Sequence, residues 1–347
     1  MADLLHAARD RGMEITVELL GLTDLRMSGN DISRPKIQRV PDYMGGREEF
    51  KRFYFPTLIS IGPFHYDKPY VKQGQQYKKL WTGMYLKNHN HTYDVLLEGI
   101  YNQLKHTKIS FSDLNNHVDI LYNDIRNIPL WMQFMLMEDG CSILHLLERS
   151  LDCEYPEKEL MVSTDKLVRV HQDLLLLENQ LSYQFLKALV RRDYSQIHKE
   201  IQLENMKRKS LHLRKYRVGN IRELKAAGIK LSKRKCAHST SFYPSFDTTK
   251  GKLELPEITV DGSTATTFLN LIAYEMCPDF NNDFEISSFL VFLSSLIDQP
   301  EDVKVLRDAK ILRNELATDK EVADLFNKMD IVLVPETAKI RSNHTPH

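Results

Sequence analysis

The run Asp173-Leu174-Leu175-Leu176-Leu177-Glu178-Asn179-Gln180-Leu181-Ser182-Tyr183 constrains the fold more than any other stretch of the chain. It lies in an apolar pattern that predicts a helix opening near Ser163 and closing near Arg192. Four consecutive leucines leave no polar stripe on such a helix, so other elements must cover most of its surface. Glu178, Asn179 and Gln180 follow at what should be a buried level. A charged or amide side chain there needs partners, because leaving it unpaired costs on the order of 2–7 kcal/mol. The run therefore predicts the most buried helix of a sizeable core, with a specified polar network. It names no chemistry.

A chain of 347 residues has the length to bury such a core, as one large domain or two. Its 42% hydrophobic and 27% charged residues are those of a globular protein. Net charge is zero, which gives no overall field for nucleic acid or membrane. Cys141, Cys153, Cys236 and Cys277 have no C-x-x-C spacing, so neither a disulfide framework nor a zinc site is expected, and a reducing compartment fits best. No uninterrupted apolar stretch marks a signal peptide near the N-terminus, and none reaches the roughly 18–20 residues of a membrane-spanning helix. The two N-x-T matches, at Asn90 and Asn343, read as chance without a secretion signal.

Along the chain, residues 1–20 predict an amphipathic helix and residues 21–35 a linker. Pro41, Pro56 and Pro63 with Leu58, Ile59 and Ile61 predict short extended segments. From Gln75 onward helical spacing dominates, with a long helix over residues 128–147 interrupted by Gly140. Leu253, Leu255, Ile258 and Val260 predict one short strand that ends in the Asp261-Gly262 turn. Helices are then predicted around Phe268–Met276, over residues 286–297, from Glu301 to Asn314, and from Lys320 to Met329 behind a Thr318-x-x-Glu321 capping box. Residues 331–347 read as a flexible tail. The resulting fold class is mainly α: a single large helical domain with a minor β element, preceded by an N-terminal helix and linker over residues 1–34.

Several blocks recur in one order: Ile37-Gln38-Arg39-Val40-Pro41, then Pro56-Thr57-Leu58-Ile59-Ser60-Ile61-Gly62-Pro63-Phe64-His65, then Met137-Glu138-Asp139-Gly140-Cys141. The 173–180 run, Leu253-Glu254-Leu255-Pro256, Asn270-Leu271-Ile272-Ala273-Tyr274-Glu275 and Glu321-Val322-Ala323-Asp324-Leu325-Phe326 complete the set. Over about residues 35–330 the chain resembles the plant family known as domain of unknown function 247. The resemblance implies a largely helical fold, no defining enzymatic activity and, in most members, a C-terminal membrane helix. Some grass members act as pollen-side determinants of self-incompatibility, which implies protein–protein recognition. This chain departs from the family pattern at His65-Tyr66-Asp67, where His-His-Gly is usual, and at Ser182, where proline is usual. It also shows no C-terminal membrane helix.

Glu178 and Glu275 both sit on apolar helical faces, and two carboxylates in such surroundings suit an acid/base pair. With no nucleophile or metal motif beside them, each reads better as a structural anchor held by a cation or by amides, with Arg39 a candidate for Glu178. His89 and His91, with His65, His106 and His117, read as solvated loop histidines, not metal ligands. Cys141 reads as a buried packing residue. Residues 207–235 carry twelve basic residues against one acidic residue, Glu223, interleaved with apolar positions. They read as a surface helix and loop with a solvated basic face, and anionic lipid or nucleic acid is the alternative.

The function expected is therefore non-enzymatic plant recognition or signalling through a protein partner, with a self-incompatibility-type determinant as its narrowest form. The alternatives are an enzyme built on Glu178 and Glu275, or anionic-surface binding through residues 207–235. The expected location is cytoplasmic or peripheral to a membrane. No catalytic, cofactor or metal residues are expected. The candidate structural or recognition residues are Arg39, Pro41, Gly62, Pro63, His65, Glu178, Asn179, Gln180 and Glu275.

Overall fold

The computed structural model describes residues 37–46, 48–104, 109–111, 120–122, 128–152, 156–189, 220–234, 244–277 and 284–339. The N-terminal helix and linker expected over residues 1–34 lie outside them, as do residues 207–219 and 235 of the basic stretch. The protein is mainly α with a few short strands. It divides into two compact units, Met1–Leu203 and Glu204–His347.

In the first unit, one-turn helices α1 (Asp42–Gly45) and α2 (Glu48–Lys51) precede a segment without regular secondary structure, residues 56–62. A single 3₁₀ turn, Pro69–Val71, leads into α3 (Gly74–Asn88) and α4 (Tyr93–Leu104). A two-stranded antiparallel ribbon follows, β1 (Ile109–Phe111) with β2 (Ile120–Tyr122). Then come α5 (Leu130–Asp152), α6 (Pro156–Glu159), α7 (Thr164–Leu174) and α8 (Tyr183–Leu189). Helix α5 opens where the Pro129 carbonyl accepts the amides of Met132 and Gln133, and it runs through Gly140 without a break. It packs on both α3 and α8. Met132, Met135, Leu136, Cys141 and Leu146 enter one core with Trp81, Tyr85, Phe185 and Leu189. Each such side chain taken from water contributes roughly 1.5–3 kcal/mol before entropy is counted.

The long helix expected over residues 163–192 does not form. Helix α7 stops at Leu174 and α8 starts at Tyr183. The residues between wind through turns, and the four leucines are still buried, Leu176 at 2% exposure. The cause is the amides that follow them. Asn179 Nδ2 donates to the Asp173 carbonyl at 2.9 Å. Gln180 Nε2 donates to the carbonyls of Leu174 at 2.7 Å and Leu176 at 2.9 Å. These bonds satisfy carbonyls that a helix end leaves orphaned, so the chain leaves helical geometry without burying unpaired acceptors.

The second unit begins with α9 (Ile221–Ala226) and continues through β3 (Lys230–Lys233), β4 (Ser245–Asp247) and β5 (Lys252–Leu255). Strand β5 is central, parallel to β3 and antiparallel to β4, with Leu253 opposite both Leu231 and Phe246. After β6 (Ile258–Val260) come α10 (Thr264–Glu275), α11 (Glu285–Leu296), α12 (Pro300–Asp308), β7 (Leu312–Asn314) and α13 (Asp319–Lys339). The single strand expected over residues 253–260 is thus two strands. Pro256, which has no N–H for a ladder, falls between them.

Two further expectations are corrected here. The helix expected from Glu301 to Asn314 ends at Asp308, and residues 312–314 pair in parallel with β6. Lys310 takes a left-handed conformation at φ 57°. Its amide bonds to Arg307 O and that of Ile311 to Leu306 O, which is a Schellman termination with lysine in the place where glycine is usual. The tail expected from residue 331 is helical as far as Lys339.

Candidate functional site

Residues 57–62 find their hydrogen-bond partners in side chains. The Asp173 carboxylate accepts the amides of Thr57 at 2.7 Å, Leu58 at 2.7 Å and Ile59 at 2.9 Å. Asn179 Oδ1 accepts the Ile61 amide at 2.6 Å, and its Nδ2 donates to the Ile59 carbonyl at 3.1 Å. The Gly62 amide donates to Asp139 Oδ2 at 2.7 Å. Lys78 Nζ donates to the Ser60 carbonyl at 2.7 Å and closes a buried ion pair with Asp139. Four side chains, on α7, α5, α3 and the 175–182 turn, therefore do for this segment what a neighbouring strand does in a sheet. Burial pushes the Asp173 and Asp139 carboxyls up from their ordinary values, and the amides on Asp173 and the Lys78 ammonium on Asp139 pull the other way.

Gly62 makes the approach possible. Its φ is +74°, and a Cβ there would lie 2.5 Å from the Gln180 carbonyl oxygen. Both the backbone conformation and the contact require a residue without a side chain. Pro63 follows directly, and its carbonyl accepts the Tyr66 amide.

Glu178 sits on the same turn and is buried at 8% exposure. Its Oε1 accepts the Val40 amide at 2.9 Å and lies 3.8 Å from Arg39 Nε. Its Oε2 lies 3.3 Å from Nε2 of His65, an ion-pair distance without hydrogen-bond alignment. His65 Nδ1 meets the Tyr70 hydroxyl at 2.8 Å, and Arg39 also lies over the Phe64 ring. Pro41 starts α1, with its carbonyl accepting the Met44 and Gly45 amides. Eight of the nine candidate residues therefore gather on one strap-and-turn arrangement in the first unit. The ninth, Glu275, belongs to the second unit and caps the start of α11: it accepts the amides of Ile286 at 2.8 Å and Ser287 at 2.9 Å, and the Ser287 hydroxyl at 2.6 Å.

The arrangement suits holding chain segments together. Burial, then the Glu178 charge, pushes the Tyr70 phenol up, which makes it a poor nucleophile. Burial pushes the Cys141 thiol up to about 12, which suits a packing role. Among the described residues no group of three histidines, cysteines or carboxylates is placed to hold a metal. The solvated-histidine expectation is corrected at two positions. His65 is 3% exposed, and His89 bonds to the Tyr85 carbonyl at 3.0 Å and pairs with Glu148 at 3.1 Å. Polar partners hold both rings, Tyr70 at His65 and the Tyr85 carbonyl and Glu148 at His89; His106 and His117 lie outside the described residues.

One surface escaped the sequence reasoning. Leu130, Trp131 and Phe134 are 64%, 46% and 50% exposed near the start of α5. Trp131 stacks on Tyr66 at 5.4 Å between ring centroids, and Phe134 on Tyr93 at 5.3 Å. These residues sit in the unbroken run Leu130-Trp131-Met132-Gln133-Phe134-Met135-Leu136, which reads as core throughout. The only signal was spacing: positions 131, 134 and 138 share one helical face that ends in a carboxylate.

Comparison with known proteins gives the following. The family model described as a plant protein of unknown function, domain of unknown function 247, matches residues 37–217 and 193–343. The UPF0481 protein At3g47200 of Arabidopsis thaliana is 25% identical over 356 residues, covering 83% of this chain and 72% of that protein. The putative UPF0481 protein At3g02645 of Arabidopsis thaliana is 30% identical over 112 residues, covering 32% of this chain and 21% of that protein. No solved structure matches. Among the described residues no helix is long and apolar enough to cross a membrane.

Proposed function

The chain belongs to the plant family of domain of unknown function 247, and we propose that it serves as a non-enzymatic recognition protein that binds a protein partner. The observation that carries this reading is the exposed aromatic face of α5. Leu130, Trp131 and Phe134 lie together in solvent, two of them extended sideways by stacked tyrosines. Contiguous exposed apolar surface of this kind marks interaction sites, and tryptophan and tyrosine are the residues that most often dominate them. The buried carboxylates support the same reading, because Glu178 and Glu275 are occupied by backbone amides that hold the fold. A self-incompatibility-type role is a narrower form of the proposal and rests on the family resemblance.

The test is a photo-cross-linking amino acid placed at Leu130, beside Trp131, in the full chain, illuminated in extract from plant tissue. A discrete protein adduct is expected there. The same group at Glu301, whose side chain is 77% exposed, should give none. Equal labelling at both positions, or no adduct at Leu130, overturns the reading.

A further inference from the structure

We propose that the Trp131–Phe134 face receives a lysine- or arginine-bearing segment of the protein partner. The proposal rests on the recognition reading above and names the chemistry of its ligand. Trp131, Phe134 and Glu138 fall at i, i+3 and i+7 on α5, so two aromatic rings and a carboxylate line one face of the helix. Tyr66 widens this face at Trp131, and Tyr93 at Phe134. Asp67 adjoins Tyr66, and Asp94 adjoins Tyr93; both are exposed.

Among the described residues, the charges that act on the two tyrosines are negative. Burial raises the Tyr66 phenol first, and Asp67, Glu138 and Asp139 raise it further. Burial also raises the Tyr93 phenol, with Glu138 and Asp94 among the charges that add to it. The two cations acting on Glu138 are Lys78 and Lys79. Lys78 is 1% exposed and committed to Asp139, which leaves Lys79 as the accessible one.

Aromatic rings present negative faces, and indole attracts a cation most strongly of the three ring types. A guanidinium or ammonium set against Trp131 or Phe134 therefore gains from the ring and from the acidic rim at once. The aliphatic stem of the same side chain covers apolar ring surface. An anionic partner such as a phosphate or an acidic lipid surface meets the same rim as repulsion.

The chain has two tryptophans, and Trp81 is 1% exposed, so a change in tryptophan emission on ligand binding reports Trp131. The probes are three peptides of equal length that alternate leucine with arginine, glutamine or glutamate, together with phosphatidylserine vesicles. The arginine peptide should shift the emission to shorter wavelength and bind about tenfold or more tighter than the glutamine peptide. Its affinity should fall as salt rises to about 1 M, where screening is nearly complete. The double variant Asp67→Asn and Asp94→Asn should weaken it; asparagine tolerates the left-handed backbone of Asp67. Trp131→Leu, with an unchanged melting temperature as the check on folding, should abolish binding of the labelled peptide.

Equal binding of the glutamine or glutamate peptide overturns the charge assignment, and so does preferential binding to the vesicles. Absence of any binding by the arginine peptide overturns it as well. If the cross-linked adduct at Leu130 persists in those cases, recognition by this face stands and only the basic character of the partner falls. If the adduct is absent too, both fall.

Discussion

Asn179 Oδ1 lies 2.6 Å from the amide nitrogen of Ile61, inside a region where neither residue has a regular secondary-structure neighbour. The other half of the same amide donates to the carbonyls of Ile59 and Asp173. One 1%-exposed side chain thus ties residues 57–62 to the end of α7. Asn179→Ala leaves one donor and two acceptors short of a partner, so a loss of about 2–5 kcal/mol is expected. Asn179→Asp keeps the acceptor for Ile61, loses both donated bonds, and should fall in the same range. Urea unfolding monitored by circular dichroism measures both. A change in the alanine variant of less than about 0.5 kcal/mol, the scale of ordinary surface substitutions, would contradict the assigned role.

Lys78 and Asp139 form an ion pair with side chains 1% and 0% exposed. Taking two charges out of water is costly, so the pair itself is a weak source of stability. Breaking it is another matter. Lys78→Met leaves the Asp139 carboxylate with the Gly62 amide alone among the bonds described for its two oxygens, and about 3–5 kcal/mol should be lost. The double variant Lys78→Met with Asp139→Leu removes both charges and should recover a large part of that loss. A double variant less stable than the single lysine variant would show that the pair is favourable in its own right.

The helical class, the long helix α5 and the burial of residues 174–178 were legible because apolar spacing reports burial directly. The break in the 173–183 run was not. A leucine run specifies that a segment is covered, and it leaves open whether the covered segment is a helix. The deciding groups were Asn179 and Gln180, whose amides reach back to carbonyls four and six residues earlier. Such a bond becomes visible only once the backbone has turned. Residues 312–314 were misread as helix for a related reason: Lys310 takes the left-handed termination position that glycine usually signals. At Glu178, the need for donors was readable from its leucine-rich flanks. That the principal one would be the Val40 amide, with Arg39 more distant, was not, because backbone amides carry no sequence label.

Cys141 and Cys277 are both buried, and Cys141 is a free thiol. Burial holds the Cys141 thiol up to about 12, so almost none of it is thiolate at neutral pH. Native protein treated with iodoacetamide should therefore carry no label at Cys141, and protein unfolded in urea before treatment should be labelled there. Peptide mapping distinguishes this site from the other cysteines. Rapid labelling of Cys141 in native protein would mean that the α5 core opens readily or that the thiol is activated.

His145 sits on α5 at 2% exposure with both ring nitrogens without a hydrogen-bond partner. Burial first, and then the charges of Arg149 and His89, lower its pKa from 6.5 to about 4. The sign follows from where protons bind. Between these two values the unfolded chain takes up a proton that the folded chain excludes, so stability is lost as pH falls through 6.5 and levels off near 4. From about pH 7 to about pH 5 the contribution lost is about 2 kcal/mol. His171, also lowered to about 4 by burial, adds in the same direction. The buried Asp139 and Asp173, pushed up, act oppositely as pH approaches their own range. His145→Leu isolates the first contribution, because it removes one titrating group and replaces unpaired nitrogens with carbon. The variant should match or exceed the parent near pH 7, and it should lose about 2 kcal/mol less than the parent on going to about pH 5. Parallel stability–pH curves for variant and parent would show that His145 is protonated in the folded protein with a partner that the present geometry does not give it.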